Sequence, residues 1–171
     1  FVLFMENCSY WEFFMSDDFG NAKTNQFQIN TYENDDQSSP HIARFADGTI
    51  VATWLSGRYG TSEGQDGDNF GIYGQILDRN GERVGSEFQI NTYSANAQQN
   101  QVVEILSPDR FLVVWHSSGY SGQAVHEDIR GQIFDKSGNM VGAEFTLNST
   151  TVNSQNYPDI TSCEEGGFIA T

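Results

Sequence analysis

The amino-acid sequence predicts an all-β fold made of four-stranded antiparallel blades, 57 to 61 residues each, with three blades in 171 residues. Three observations carry that expectation. The stretch GIYGQILDRNGERVGSEFQIN (71–91) returns as DIRGQIFDKSGNMVGAEFTLN (128–148). Phe27, Phe88 and Phe145 open FQINTY, FQINTY and FTLNST at intervals of 61 and 57, and Trp54 and Trp115 repeat the interval of 61. The segments between turn residues are short and rich in β-branched and aromatic side chains, with no 3.6-residue period long enough for a helix. Four antiparallel strands recurring at this period read as a β-propeller-like array.

Taken in order, residues 1–33 hold the end of a divergent blade, completed by the C-terminal strands of a preceding unit or by 153–171. Residues 34–93 and 94–150 are full blades, and 151–171 begin the next. In each full blade the first strand precedes the ADG (46–48) or SPD (107–109) turn and the second ends near Trp54 or Trp115. The third carries the GIYGQ-like run and the fourth carries EFQIN or its counterpart. DRNG (78–81) and DKSG (135–138) place Asp78 and Asp135 at the first turn position and Gly81 and Gly138 at the last. That is type I turn chemistry, in which the Asp carboxylate accepts local backbone N–H bonds. Gly74 and Gly131, in otherwise apolar strands, mark places where another backbone or a large ring comes close. Trp54 and Trp115 read as packing between blades, because a packing residue recurs in every copy and a binding residue need not.

The repeat phase also predicts a continuation. Pro158 lies 118 residues after Pro40, and GGFIAT (166–171) then falls on GTIVAT (48–53). A second copy placed after Thr171 would put Phe1 where Trp54 and Trp115 stand, and the interrupted strand would become whole. The expectation is a three-blade unit that continues into another, either closing a ring or running on as a fibre in which each unit covers its neighbour's open edge. The partner is then the chain itself.

Composition sets the class of environment. With 37% hydrophobic and 13% aromatic residues the chain is too apolar for disorder. Eight Lys and Arg against 23 Asp and Glu give a net charge of -15, which repels phosphate backbones and anionic lipid. Nucleic acid is therefore not expected as a partner. No apolar run reaches the roughly 18 residues of a spanning helix, so no membrane insertion is expected. The sequons at Asn7 and Asn148 permit N-glycosylation, and with the acidic surface they point to an extracellular or cell-surface glycoprotein. Two cysteines, Cys8 and Cys163, define neither a disulfide scaffold nor a zinc site.

Residues outside the repeat are the candidates for chemistry. Glu63, Asp66, Asp68 and Asn69 gather hard oxygen ligands on a glycine-rich loop, which makes calcium the one cofactor the sequence admits. The loop lacks EF-hand spacing, and a solvated loop is the competing reading. Trp11, Tyr59 and Tyr120 are candidate aromatic platforms for a lectin-like or adhesive function that binds glycans between blades. His41, His116 and His126 have no repeat partners and no nearby Ser or Cys in a nucleophile motif. No recurrent acidic pair of the kind glycosidases use stands above the background. On these grounds no enzyme is expected.

The copies GIYGQILDRNGERVGSEFQIN and DIRGQIFDKSGNMVGAEFTLN, preceded by DGTIVATW (47–54), resemble the tandem propeller-type repeats of large secreted or surface-displayed repeat proteins. The resemblance covers residues 10–171 and is strongest at 71–91 and 128–148. It implies a structural, adhesive or matrix component, a filament module joined head to tail. The second full copy departs from the pattern, with EDIRGQ in place of NFGIYGQ, and the short first copy YWEFFMSD has no GIYGQ.

Overall fold

The computed structural model of the chain describes residues 2–5, 11–14, 27–58, 64–118, 127–150, 152–163 and 167–171, the first two segments by their backbone alone. All regular structure among them is β, in antiparallel sheets. Strands β1 (Val2–Met5), β2 (Trp11–Phe14) and β3 (Phe27–Gln28) form a three-stranded sheet. Strands β4 (Gln37–Arg44), β5 (Ile50–Gly57), β6 (Phe70–Leu77) and β7 (Arg83–Gln89) form a four-stranded meander. A second four-stranded meander contains β8 (Gln98–Ser107), β9 (Arg110–Ser118), β10 (Glu127–Asp135) and β11 (Met140–Thr146). Strands β12 (Ile160–Ser162) and β13 (Phe168–Ala170) pair alone. No helix among the described residues is long and apolar enough to cross a membrane.

The central strands carry the core on both faces. β5 is buried along its whole length, so both of its faces are core. Period-2 alternation sends Ile50, Ala52 and Trp54 to one side, where they pack with Tyr73, Leu77 and Ile29, which lies beyond β3. Val51 and Leu55 face the other way, joining Ile72, Ile76 and Ile90 with Val103, Phe111, Val113, Trp115 and Phe134 of the next sheet. Each interface between consecutive sheets is thus an apolar sandwich. Trp54 and Trp115 are its largest side chains, 1% and 0% exposed. Phe111 stacks on Phe134 at 5.1 Å, and Phe134 meets Phe88 of the preceding sheet at 5.6 Å.

Bulges in equivalent places give the sheets their shape. The β6–β7 register shifts between Gly74 and Ile76, and the β10–β11 register shifts between Gly131 and Ile133. The extra residues lie on β7 (85–87) and β11 (142–144), opposite Gln75 and Gln132, which are both fully buried. Gln75 Nε2 donates to the carbonyls of Ile76, Val84 and Gly85 at 3.0, 3.2 and 3.3 Å. Gln132 Nε2 donates to those of Ile133, Val141 and Gly142 at 2.9, 3.5 and 3.3 Å. The repeated Gly-Gln pair is therefore one device: the amide closes the bulge while the glycine makes room for a ring. A Cβ on Gly74 would stand 3.0 Å from Phe88 Cζ, and one on Gly131 would stand 3.1 Å from Phe145 Cζ.

The turns after β6 and β10 are built alike. Asp78 Oδ1 accepts from the backbone N–H groups of Asn80 and Glu82 at 2.8 and 2.9 Å, and Gly81 N–H donates to Asp78 O at 3.0 Å. Asp135 Oδ1 accepts from Ser137 and Asn139 N–H at 2.8 and 2.9 Å, and Gly138 N–H donates to Asp135 O at 3.0 Å. These bonds hold both carboxyls below the usual carboxylate range. Gly81 and Gly138 have φ of 88° and 86°, the left-handed region that favours glycine.

Candidate functional site

Two kinds of site emerge from the sheet interfaces. The first is a recurring polar clasp. Glu87 Oε2 accepts from both the backbone N–H (2.7 Å) and the hydroxyl (3.0 Å) of Thr31, beyond the end of β3. One repeat on, Glu144 Oε2 accepts from Thr92 N–H at 2.8 Å and from its hydroxyl at 2.6 Å. Between the first strands of successive sheets, Gln101 Nε2 donates to Ser39 O at 2.5 Å, and Glu104 Oε1 accepts from Ser162 N–H and Oγ–H at 3.0 and 2.7 Å. Asn91 and Asn148 add a second bridge. Asn91 Oδ1 accepts from Ile72 N–H at 2.8 Å, and Asn148 Oδ1 accepts from Ile129 N–H at 2.7 Å.

The Asn148 geometry bears on its sequon. The Asn148 Nδ2 that would carry a glycan donates to Asp128 Oδ1, Thr150 O and Gln155 Oε1 at 2.9, 2.8 and 3.1 Å. A glycan there would have to replace those bonds, which tie β10 to the segment leading into β12. Asn7 lies outside the described residues. Cys163 is a free thiol, and Cys8 lies outside the described residues.

The expected calcium ligands point into the protein's own amides. Asp66 Oδ1 accepts from Asp68 N–H at 3.3 Å, and its other oxygen faces Asn91 Nδ2 at 3.4 Å. Burial pushes the Asp66 carboxyl up. Asp68 accepts from Asn69 N–H through Oδ1 and from Asn96 N–H through Oδ2, both at 2.8 Å. Glu63 lies outside the described residues, and among the described residues no three His, Cys, Asp or Glu side chains converge as a metal group. The aromatic platforms Tyr59 and Tyr120 and the junction residue Phe1 also lie outside them. Trp11 lies in β2, where the backbone alone is described.

The second kind of site was not foreseen. Among the described residues five non-glycine residues have positive φ, and three of them, Ser39 (51°), Asn100 (52°) and Tyr157 (55°), occupy one repeat position. They sit at or before the first strand of each sheet, where β4 and β8 bulge between Ser38 and His41 and between Gln99 and Val102. Non-glycine residues in this region are uncommon, and such conformations cost about 1–3 kcal/mol each. Around Asn100 and Tyr157 lies a polar group. Asn100 Nδ2 is 3.2 Å from His116 Nδ1, and His116 Nε2 is 3.9 Å from Glu127 Oε1. Asn156 Nδ2 donates to Glu127 Oε2 at 3.0 Å, and the Tyr157 ring meets the His116 ring edge-on at 6.2 Å. His116 is only 4% exposed, whereas Tyr157 is 75% exposed. Burial lowers the imidazole pKa, opposed by the Glu127 carboxylate.

The sequence held a signal for this group in the repeat alignment. His116 and Glu127 take the places of Leu55 and Phe70, which pack in the apolar core of the preceding sheet. Positions where a copy departs from its siblings carry what is particular to that copy.

No family model matches the chain, and no curated protein matches it. Among solved structures, the fold is similar to that of the endo-arabinase from Bacteroides thetaiotaomicron VPI-5482, with a TM-score of 0.53, 12% sequence identity, and coverage of 98% of this chain and 67% of that one. This likeness corrects the expectation that the chain is no enzyme: its fold is one that an endo-arabinase adopts. The expectation rested on missing motifs. Carboxylates that act together on a sugar are brought in from separate strands and leave no short motif in the sequence.

Proposed function

We propose that the chain is an assembly module of an extracellular or cell-surface repeat protein, a propeller-type array joined head to tail, as the resemblance of its repeats implies. One observation carries this reading. Beside the β12–β13 pair lies an open cleft of about 400 Å³, lined by Ile129, Leu147, Asn148, Gln155, Ala170 and Thr171 among others. Leu147 and Ile129 hold the repeat positions of Ile90 and Ile72, which share one core cluster with Trp115. The cleft therefore stands where the next aromatic of the series belongs, directly after Thr171.

The strand counts support the same reading. Two sheets stand short of four strands, β12–β13 and β1 to β3; joined copy to copy, with β13 running into β1, they would make one four-stranded sheet. Repeat alignment sets Phe168–Ala170 on Ile50–Ala52 and Val2 of a following copy on Leu55. Phe1 of that copy would fill the cleft. Burying one such aromatic side chain contributes about 1.5–3 kcal/mol, and the two outer strands would bury considerably more.

The test is electron microscopy of the native material, joined with light scattering on the 171-residue chain. The expected result is density that runs from Thr171 into a following Phe1, and a mass that is a multiple of 19.1 kDa. Leu147→Asp should abolish the larger species and leave the β circular-dichroism spectrum intact. A monomer at all concentrations, with separated ends in the density, would sink the proposal. The distribution of masses separates a closed ring, with one multiple, from a fibre, with many.

A further inference from the structure

The geometry points to a binding site for a neutral carbohydrate at the second meander, with His116 and Glu127 sharing one sugar hydroxyl and Tyr157 offering its ring. The inference goes beyond assembly, and of the residues that line the junction cleft it uses Asn156 alone, as the donor that holds Glu127.

The site is built by replacement within the repeat. In the first meander the equivalent side chains are Leu55 and Phe70, packed in the core. In the second they are His116 and Glu127, an ionisable pair in a position that its sibling fills with hydrocarbon. Such an exchange gives up apolar burial and desolvates a ring nitrogen, and nothing in the packing of the sheet requires it.

The pair is incomplete in a way that specifies the ligand. His116 Nδ1, 3.2 Å from the Asn100 amide nitrogen, acts as the acceptor, so Nε2 carries the hydrogen. Nε2 is buried and has no hydrogen-bond partner. Glu127 Oε1 is 3.9 Å from it, beyond hydrogen-bond reach, while Glu127 Oε2 is held by Asn156. One donor and one acceptor thus stand 3.9 Å apart with no hydrogen bond between them. The group that satisfies both accepts from Nε2–H and donates to the carboxylate, which is what a hydroxyl does. A carboxylate or phosphate could accept from the imidazole and would be repelled by Glu127. An ammonium could donate to Glu127 and has nothing with which to accept.

Tyr157 supplies the remaining element. Its ring touches His116 edge-on and is otherwise open to solvent, held there by a left-handed backbone conformation that a bulky residue rarely adopts. An exposed aromatic face beside paired polar groups suits the apolar C–H face and polar rim of a sugar ring. Ser39 and Asn100, at the same repeat position, have no aromatic ring to offer.

The experiment is binding of the full chain to an immobilised panel of neutral pentose and hexose oligosaccharides, followed by nuclear magnetic resonance titration with whichever panel member binds. The expected result is capture of at least one neutral oligosaccharide, with the His116 Nε2–H signal shifting on titration. Tyr157→Ala and Glu127→Gln should each weaken that binding at least tenfold, with the melting temperature unchanged in Tyr157→Ala. Absence of binding at millimolar sugar, with no movement of the His116 signal, would mean that water alone satisfies the pair and would overturn the proposal. Binding that survives both substitutions would overturn it equally. Light scattering on the same samples keeps the two readings apart, since neither substituted residue lines the cleft beside β13.

Discussion

Glu144 reaches across a sheet boundary to Thr92 and takes both of its hydrogens, the backbone N–H at 2.8 Å and the hydroxyl at 2.6 Å, through a single carboxylate oxygen. Its other oxygen accepts from Arg130 Nε at 2.9 Å, and both ion-pair side chains are 4% exposed. Glu144→Gln removes the buried carboxylate paired with the Arg130 guanidinium, and breaking such a pair typically costs about 3–5 kcal/mol. Thr92→Val removes one hydroxyl bond, at about 1 kcal/mol. Urea denaturation should rank the two variants in that order, and equal midpoints would show that the clasp is not what ties the sheets together.

Gln132 should be nearly as sensitive although it touches no ligand. Its amide nitrogen is shared among the carbonyls of Ile133, Val141 and Gly142 at the β10–β11 bulge. Gln132→Leu keeps the volume and strands those carbonyls, at about 1–3 kcal/mol. The matching Gln75→Leu should cost a similar amount. A double variant whose loss equals the sum of the two singles would place the bulges in independent sheets.

Acid should loosen the turns in a way that substitution can remove. Asp78 and Asp135 carry depressed pKa values in the folded chain, Asp78 chiefly because the Glu82 N–H donates to it and Asp135 chiefly because the Asn139 side-chain amide does, with backbone N–H groups adding to both. A carboxyl whose folded pKa lies below its unfolded value stabilises the fold above that unfolded value, 3.8, and loses the contribution as pH falls through the folded one. Melting temperature measured from pH 5 to pH 2 should therefore fall. Asp78→Asn with Asp135→Asn keeps an acceptor oxygen in each turn and should flatten that part of the curve.

His116 should add a second, separate slope at milder pH. Burial lowers its pKa from 6.5, so the unfolded chain takes up the proton first as pH falls. Stability from the neutral ring is complete above pH 6.5 and declines as pH drops through the lower folded value. Glu127 is the charge that faces it and partly offsets the effect. His116→Gln should reduce the slope below pH 6.5, as read by melting temperature, and leave the part that His41 supplies; an unchanged slope would place the titration elsewhere.

The strands and turns were legible because their causes are local and repeated. Asp78 and Gly81 announce a turn in four residues, and β5 and β9 announce themselves by unbroken apolar runs. The recurring Trp likewise marks packing that each sheet must supply. The clasp was harder to read, since Glu87 and Glu144 are ordinary acidic residues until folding brings Thr31 and Thr92 beside them. The His116 group was missed for the opposite reason. Its members come from β9, β10 and the segments around Asn100 and Tyr157, so no spacing joins them, and attention given to what recurs passes over the one place where it does not. In the loop of Asp66 and Asp68, carboxylates clustered in sequence accept from neighbouring backbone amides, a use that no spacing announces.

The clasps have a consequence for how such a chain can change over generations. Glu87, Glu144 and Glu104 secure each sheet to its neighbour at points remote in sequence from residues 55, 70, 116 and 127. The fastening and the interior are therefore inherited separately. A copy can hold an ionisable pair where its sibling holds hydrocarbon and stay attached to it. Duplication supplies the spare parts, and fastenings of this kind let one copy acquire a trade of its own without the others having to follow.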